Sequence, residues 1–189
     1  MTAPTATRKR LYDADALLCM PDGNEYELDD GDLVRLNMGA EANDIAGEMY
    51  MALKPFARTN RLGAVFPAEC GLRIFPGRPS RVPKPDGGFI AHSKLPGDRL
   101  PRGFIEVVPD IVWEVVSPND NAIYTERKVR EYLGVGIRLV WVVYPDTRTV
   151  HVFRADGTAS VIESGGAISG EDICPGFELP LATILPPAE

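Results

Sequence analysis

One acidic residue set in the most apolar stretch of the chain restricts what this sequence can fold into more than any other feature. The run is Ile111-Val112-Trp113-Glu114-Val115-Val116. Its β-branched and aromatic content suits a central strand, and a carboxylate buried there is costly unless it is paired, hydrogen-bonded or bound to a cation. On a pleated strand Asp110, Val112, Glu114 and Val116 share a face. Asp110 is four residues away, roughly 13 Å at strand rise, so it cannot share one ion with Glu114. A partner acid must come from a neighbouring strand. Asp86, in Lys84-Pro85-Asp86-Gly87, directly precedes a short strand candidate, Gly87 to Ala91. Two carboxylates on adjacent strands form a hard oxygen site suited to Mg²⁺ or Mn²⁺. Read from spacing alone, other roles stand beside this one: Glu114 bonded to an arginine or to backbone N–H groups, and Asp86 an ordinary turn residue.

The elements around this strand alternate between helix and strand. Asp13 to Met20 reads as a short helix ended by Pro21-Asp22-Gly23, and Glu25–Asp29 with Leu33–Leu36 as a hairpin around Asp30-Gly31. Ile45, Met49, Ala52, Leu53 and Phe56 recur at helical spacing over Glu41 to Phe56. Gly63–Phe66, Gly71–Phe75 and Gly87–Ala91 read as short strands. Ser117-Pro118-Asn119-Asp120 offers capping side chains for a helix over Asn121 to Leu133, stopped by Gly134 and Gly136. Ile137–Tyr144, Thr149–Phe153 and Ala159–Ile162 form a second buried strand and a β-meander. On the helix, Tyr124, Lys128 and Tyr132 lie in one line at i, i+4 and i+8. A strand-to-helix return can carry Lys128 back over Glu114, where an ammonium beside two carboxylates stays protonated, holds an attacking water and offsets charge on a phosphate. A charged helix face is also commonly just a solvated one.

Charge is segregated along the chain. Leu11 to Leu53 carries eleven acidic residues and one basic residue, Arg35; Lys54 to Arg102 carries ten basic and three acidic; Gly103 to Glu189 carries six basic and thirteen acidic. The overall charge of −7 argues against a protein that simply coats polyanions. The basic segment either meets a polyanion, with Arg73, Arg78, Arg81 and Lys84 as candidate nucleic-acid contacts, or lies beside the acidic segment and is cancelled by it. Three scattered cysteines, Cys19, Cys70 and Cys174, and two histidines argue against a disulfide framework and a zinc site. No window has the length of apolar chain that a membrane span needs, and the reading is a cytoplasmic compartment. Residues 1–10 are expected to be a flexible tail and 11–189 a single domain. No nucleophile elbow, Walker A loop or dinucleotide fingerprint is present.

The run from Val108 to Pro118 resembles the signature of the Uma-two-type restriction endonucleases, in the PD-(D/E)XK nuclease superfamily. The likeness continues through Lys128-Val129-Arg130-Glu131-Tyr132, Gly134-Val135-Gly136, Val140 to Asp146 and Ile168 to Leu179, and upstream through Tyr26-Glu27-Leu28 with Asp30-Gly31-Asp32-Leu33-Val34. It implies an α/β (α+β) fold: a mixed β-sheet flanked by helices, a restriction-endonuclease-like core with an N-terminal hairpin and a C-terminal β-meander. It further implies Asp86 and Glu114 as metal-binding acids, the Val115 carbonyl as a backbone ligand and Glu27 as an outer ligand. Val116 stands where many superfamily members carry their lysine, and the resemblance moves that function to Lys128. Homodimers are implied as well. The sequence departs from the pattern at Glu41-Ala42-Asn43-Asp44, where many relatives carry a histidine. The expected function is therefore a Mg²⁺- or Mn²⁺-dependent endonuclease acting on DNA. Its rivals are a nuclease fold kept for DNA binding or assembly without catalysis, and a hydrolase of small phosphorylated molecules.

Overall fold

A computed structural model describes residues 11–36, 39–95, 97, 99–118 and 120–186. The expected tail, residues 1–10, lies outside the described residues. Asp13 caps α1 (Ala14–Cys19) by accepting from the Ala16 N–H at 2.7 Å. Strands β1 (Tyr26–Asp29) and β2 (Asp32–Arg35) form a separate hairpin, with Asp30 and Gly31 at positive φ in its turn. Helix α2 (Ala40–Thr59) buries Ile45, Met49 and Leu53, the helical stripe seen in the sequence.

Six strands make the central sheet: β3 (Gly63–Pro67), β4 (Gly87–Ala91), β5 (Ile111–Val115), β6 (Leu139–Tyr144), β7 (Thr149–Arg154) and β8 (Ala159–Ile162). They are hydrogen-bonded in chain order. Only β5 and β6 run parallel, because α3 (Ala122–Gly134) connects them and returns the chain to the starting end of the sheet. All other neighbours are antiparallel, so β6, β7 and β8 are the expected meander. A second hairpin, β9 (Ala167–Ser169) with β10 (Glu178–Pro180), follows it and was not legible in the sequence. Each of its strands is three residues long, too short to show a period.

The alternation of β5 sorts the core into two layers. Ile111, Trp113 and Val115 face α2, together with Trp141, Val143 and the C-terminal Ile168, Phe177 and Leu179. Val112, Val140 and Val142 face the opposite side, where Val129 and Tyr132 of α3 cover them. Glu114 shares the α3 side by the same alternation. A smaller cluster of Ala14, Leu17, Leu28 and Val82 seats the β1–β2 hairpin. The expected strand at Gly71–Phe75 is not formed: Leu72 makes one isolated bridge to Ile105 and the segment is otherwise irregular. Pro76 and Gly77 interrupt it before a ladder can extend. The cap of α3 is Asn121, whose side chain accepts from the Ile123 N–H at 2.9 Å, one residue beyond the expected capping run. Among the described residues no helix is long and apolar enough to cross a membrane.

Candidate active site

The C-terminal end of β5 opens into a cleft of about 860 Å³, walled by the β1–β2 hairpin, the entry to β4 and the first turns of α3. Six sequence-predicted residues line it: Glu27, Lys84, Asp86, Glu114, Val115 and Lys128. Val116 and Asn43 line it as well.

Asp86 reaches the cleft because the chain enters β4 against Trp113. The Asp86 N–H donates to the Trp113 carbonyl at 3.0 Å, and the Val115 N–H donates to Asp86 Oδ2 at 2.6 Å. The two following glycines make this approach possible. A Cβ on Gly87 would lie 2.0 Å from Trp113 Cζ2, and one on Gly88 would lie 2.3 Å from Phe66 Cζ. Asp86 is buried, and burial first, then the neighbouring charge of Glu114, push its carboxyl up to about 8.

Glu114 has partners on both oxygens. Lys128 Nζ donates to Oε2 at 2.8 Å, and the Tyr132 hydroxyl donates to Oε1 at 2.8 Å. Burial works against the Lys128 charge, yet the carboxylates of Glu114, Glu27 and Asp86 outweigh it and hold the ammonium protonated. Burial likewise pushes the Tyr132 phenol well up, so it remains a donor. The arginine alternative for Glu114 does not hold; the lysine one helical turn before Tyr132 is its cation. The line Tyr124, Lys128 and Tyr132 thus delivers three polar heads to two acids.

Glu27 is almost fully buried. Its Oε2 accepts from the Lys84 backbone N–H at 3.0 Å and lies 3.7 Å from Lys128 Nζ, while its Oε1 accepts from the Tyr124 hydroxyl. Despite burial, Lys128 and Tyr124 hold its carboxyl below the usual range. Asp110 is set apart from this group. It accepts from the Ala91 N–H at 2.8 Å and pairs with Lys94 at 2.8 Å, which agrees with its expected exclusion from the site.

The four expected nucleic-acid contacts are engaged inside the protein. Arg81 is 0% exposed; it pairs with Glu131 at 2.6 Å and donates to the Leu28 carbonyl at 3.2 Å. Lys84 is buried, with Nζ donating to the Gly23 carbonyl at 2.8 Å. Arg78 bridges Asp30 at 2.6 Å and Glu131 at 2.8 Å, and Arg73 reaches Asp15 at 3.4 Å. Burial of Arg81 and Lys84, and the acid partners of Arg73 and Arg78, mean that each would have to leave an internal partner to meet a nucleic-acid backbone. Two further acids of the cleft were not singled out as site residues: Glu69, at a positive φ of 70°, and Asp120, read only as a capping residue, which accepts from the Ser117 N–H at 2.8 Å. Turn-like surroundings hid both.

The donor set suits a hard divalent cation. Among the described residues no three acid, histidine or cysteine side chains form a ready-made cage, but Mg²⁺ is commonly held by one or two carboxylates plus waters and substrate phosphate. An ionised carboxylate offers about four acceptor positions, so the protein donors on Asp86 and Glu114 leave room for a cation. A divalent cation bound here would offset the cost of burying Asp86 beside the like charge of Glu114.

Comparison with known proteins gives the family. A family model described as "Uma2: Putative restriction endonuclease" matches residues 13–182. Among solved structures, one described as a "putative nuclease belonging to DUF820" from Anabaena variabilis ATCC 29413 superposes with a TM-score of 0.75 at 20% identity, covering 92% of this chain and 97% of that one. That likeness shows the shared fold. No curated protein matches.

Proposed function

This chain belongs to the Uma2 family, and from that membership we propose that it is a divalent-metal-dependent endonuclease hydrolysing phosphodiester bonds of DNA, built on the PD-(D/E)XK plan. The observation that carries the reading is the convergence of Asp86, Glu114 and Lys128 on one cleft, from two adjacent strands and the helix that follows them. Asp86 and Glu114 would hold Mg²⁺ or Mn²⁺, with the Val115 carbonyl as a further candidate ligand. Bound there, the cation would lower the pKa of a water and draw charge off the phosphate. The chain's own residues supply the rest. Lys128 presents a fixed positive charge beside the acids, where a phosphate oxygen gains charge during displacement. Tyr132 fixes the rotamer of Glu114, and the Val115 N–H fixes Asp86. Val116 contributes only a wall, so the cation it would carry in many superfamily members comes from α3 instead.

A second reading, a nuclease fold kept for DNA binding or assembly without catalysis, is favoured by the charge of the cleft, which repels a phosphate until a cation is bound. Among the described residues seven acidic and three basic ones line it, and the three basic ones, Arg35, Lys84 and Lys128, all have internal partners. The test is nicking of supercoiled plasmid in Mg²⁺ or Mn²⁺, comparing the natural chain with Glu114→Gln. The nuclease reading expects nicking by the natural chain and a loss of about 100-fold or more in the variant. Equal nicking by both overturns it, and gel-shift retention without nicking favours the second reading.

A further inference from the structure

The resemblance to the nuclease family casts Glu27 as an outer ligand of the cation. Its surroundings say otherwise. Both of its oxygens accept from protein donors, the Tyr124 hydroxyl on Oε1 and the Lys84 backbone N–H on Oε2, as both oxygens of Glu114 do, but Glu27 is 1% exposed where Asp86 and Glu114 are each 9%, so it is the acid turned away from the open cleft. Oε2 also lies 3.7 Å from Lys128 Nζ. That ammonium therefore sits between two buried carboxylates, Glu114 at 2.8 Å and Glu27 at 3.7 Å. The residue is carried by β1, outside the central sheet, and enters the site only because the hairpin docks on the Val82 segment and on α3. Its side chain is thus aimed at the helix that bears the lysine.

We infer that Glu27, backed by Tyr124, is a positioning residue that fixes the Lys128 ammonium against Glu114, and is not a ligand of the cation. The inference rests on the nuclease reading for the role of Lys128, but not for the geometry. A lysine has four rotatable side-chain bonds and a compact, strongly hydrated charge. Held by Glu114 alone, it could swing about one oxygen. The second acid confines it to one placement, and Tyr124 and the Lys84 N–H confine the acid in turn. Displacing such a charge by about 1 Å is enough to lower a rate by roughly 100-fold.

The experiment measures plasmid nicking and Mn²⁺ binding, the latter by electron paramagnetic resonance of the free ion, on the full chain. Variants are Glu27→Gln, Tyr124→Phe, Lys128→Met, the double variant Glu27→Gln/Lys128→Met, and Glu114→Gln. Glu27→Gln is expected to lower kcat by about 10–100-fold with KM and the Mn²⁺ Kd each within about threefold. Tyr124→Phe is expected to show a smaller loss of the same kind. In the Lys128→Met background Glu27→Gln is expected to add nothing, the signature of two residues acting as a unit. A fall in Mn²⁺ affinity as large as that of Glu114→Gln overturns the inference, as do losses that multiply in the double variant. Should Lys128→Met fail to fold, Tyr124→Phe decides: loss of Mn²⁺ affinity there contradicts the positioning role, and loss of kcat alone supports it. Should the natural chain not cleave, the nuclease reading falls while the Mn²⁺ comparison of Glu27→Gln with Glu114→Gln still tells lysine anchor from cation ligand.

Discussion

A single glycine shows how tightly the site is tied to the core. Gly87 lies in register opposite Trp113, and its missing Cβ leaves the space the indole occupies. Trp113 is fully buried and stacks on Trp141 at 6.3 Å, so it has nowhere to retreat. Gly87→Ala should therefore destabilise the fold by about 3 kcal/mol, at the upper end of ordinary overpacking, read as a lower urea midpoint at unchanged slope. A variant as stable as the natural chain would show that Asp86 is not held by this packing. The sequence made the acid in the apolar strand conspicuous, and Asp86 was the best donor beside it. It left open what neutralises Glu114, because a lysine in the charged stretch Glu126 to Glu131 looks like a solvated face. Burial of Lys128 under the hairpin is a tertiary fact with no local signature. Tyr124 and Tyr132 were visible as a line along the helix, yet only the positions of Glu27 and Glu114 give that line a purpose.

At the level of elements, the β1–β2 hairpin behaves as a clamp fastened largely by charge. Asp29 meets Arg127 of α3 and Arg81, Asp30 meets Arg78, and both arginines of the 78–81 segment meet Glu131. The Arg78 hydrogen bond holds Asp30 below its ordinary 3.8, and Arg78 and Arg81 hold Glu131 below its ordinary 4.5 against the pull of burial. Carboxyls lowered in the folded state stabilise it above their ordinary values, and that stabilisation disappears as pH falls through the lowered ones. The hairpin should thus loosen on acidification, before the apolar sheet does. Hydrogen exchange is expected to show the Leu28 amide losing protection below roughly pH 4 while Val140 and Val142 keep theirs. Simultaneous loss across hairpin and sheet would contradict the ionic clamp. Most elements were legible from period and turn chemistry, as for α2 and the meander. The Gly71–Phe75 segment was misread as a strand because its apolar residues serve a bridge and a loop wall instead of a ladder.

Across the whole molecule, the segregated charge of the sequence resolves in part into internal pairing. The acidic N-terminal segment supplies Asp15, Asp29 and Asp30, and the basic segment answers with Arg73, Arg81 and Arg78. The sequence held both outcomes open, since only the folded field decides between a polyanion partner and self-neutralisation. What survives at the cleft is an acidic surface with two buried and internally bonded lysines, an arrangement that asks for added positive charge before a phosphate can approach. The account therefore turns on whether Asp86 and Glu114 share a divalent ion. Anomalous diffraction from crystals of the full chain soaked in Mn²⁺ tests this most directly. The account predicts a peak between the two side chains, at about 2.0–2.2 Å from an oxygen of each. Mn²⁺ bound only elsewhere, with Lys128 and Tyr132 still the sole neighbours of Glu114, would contradict it.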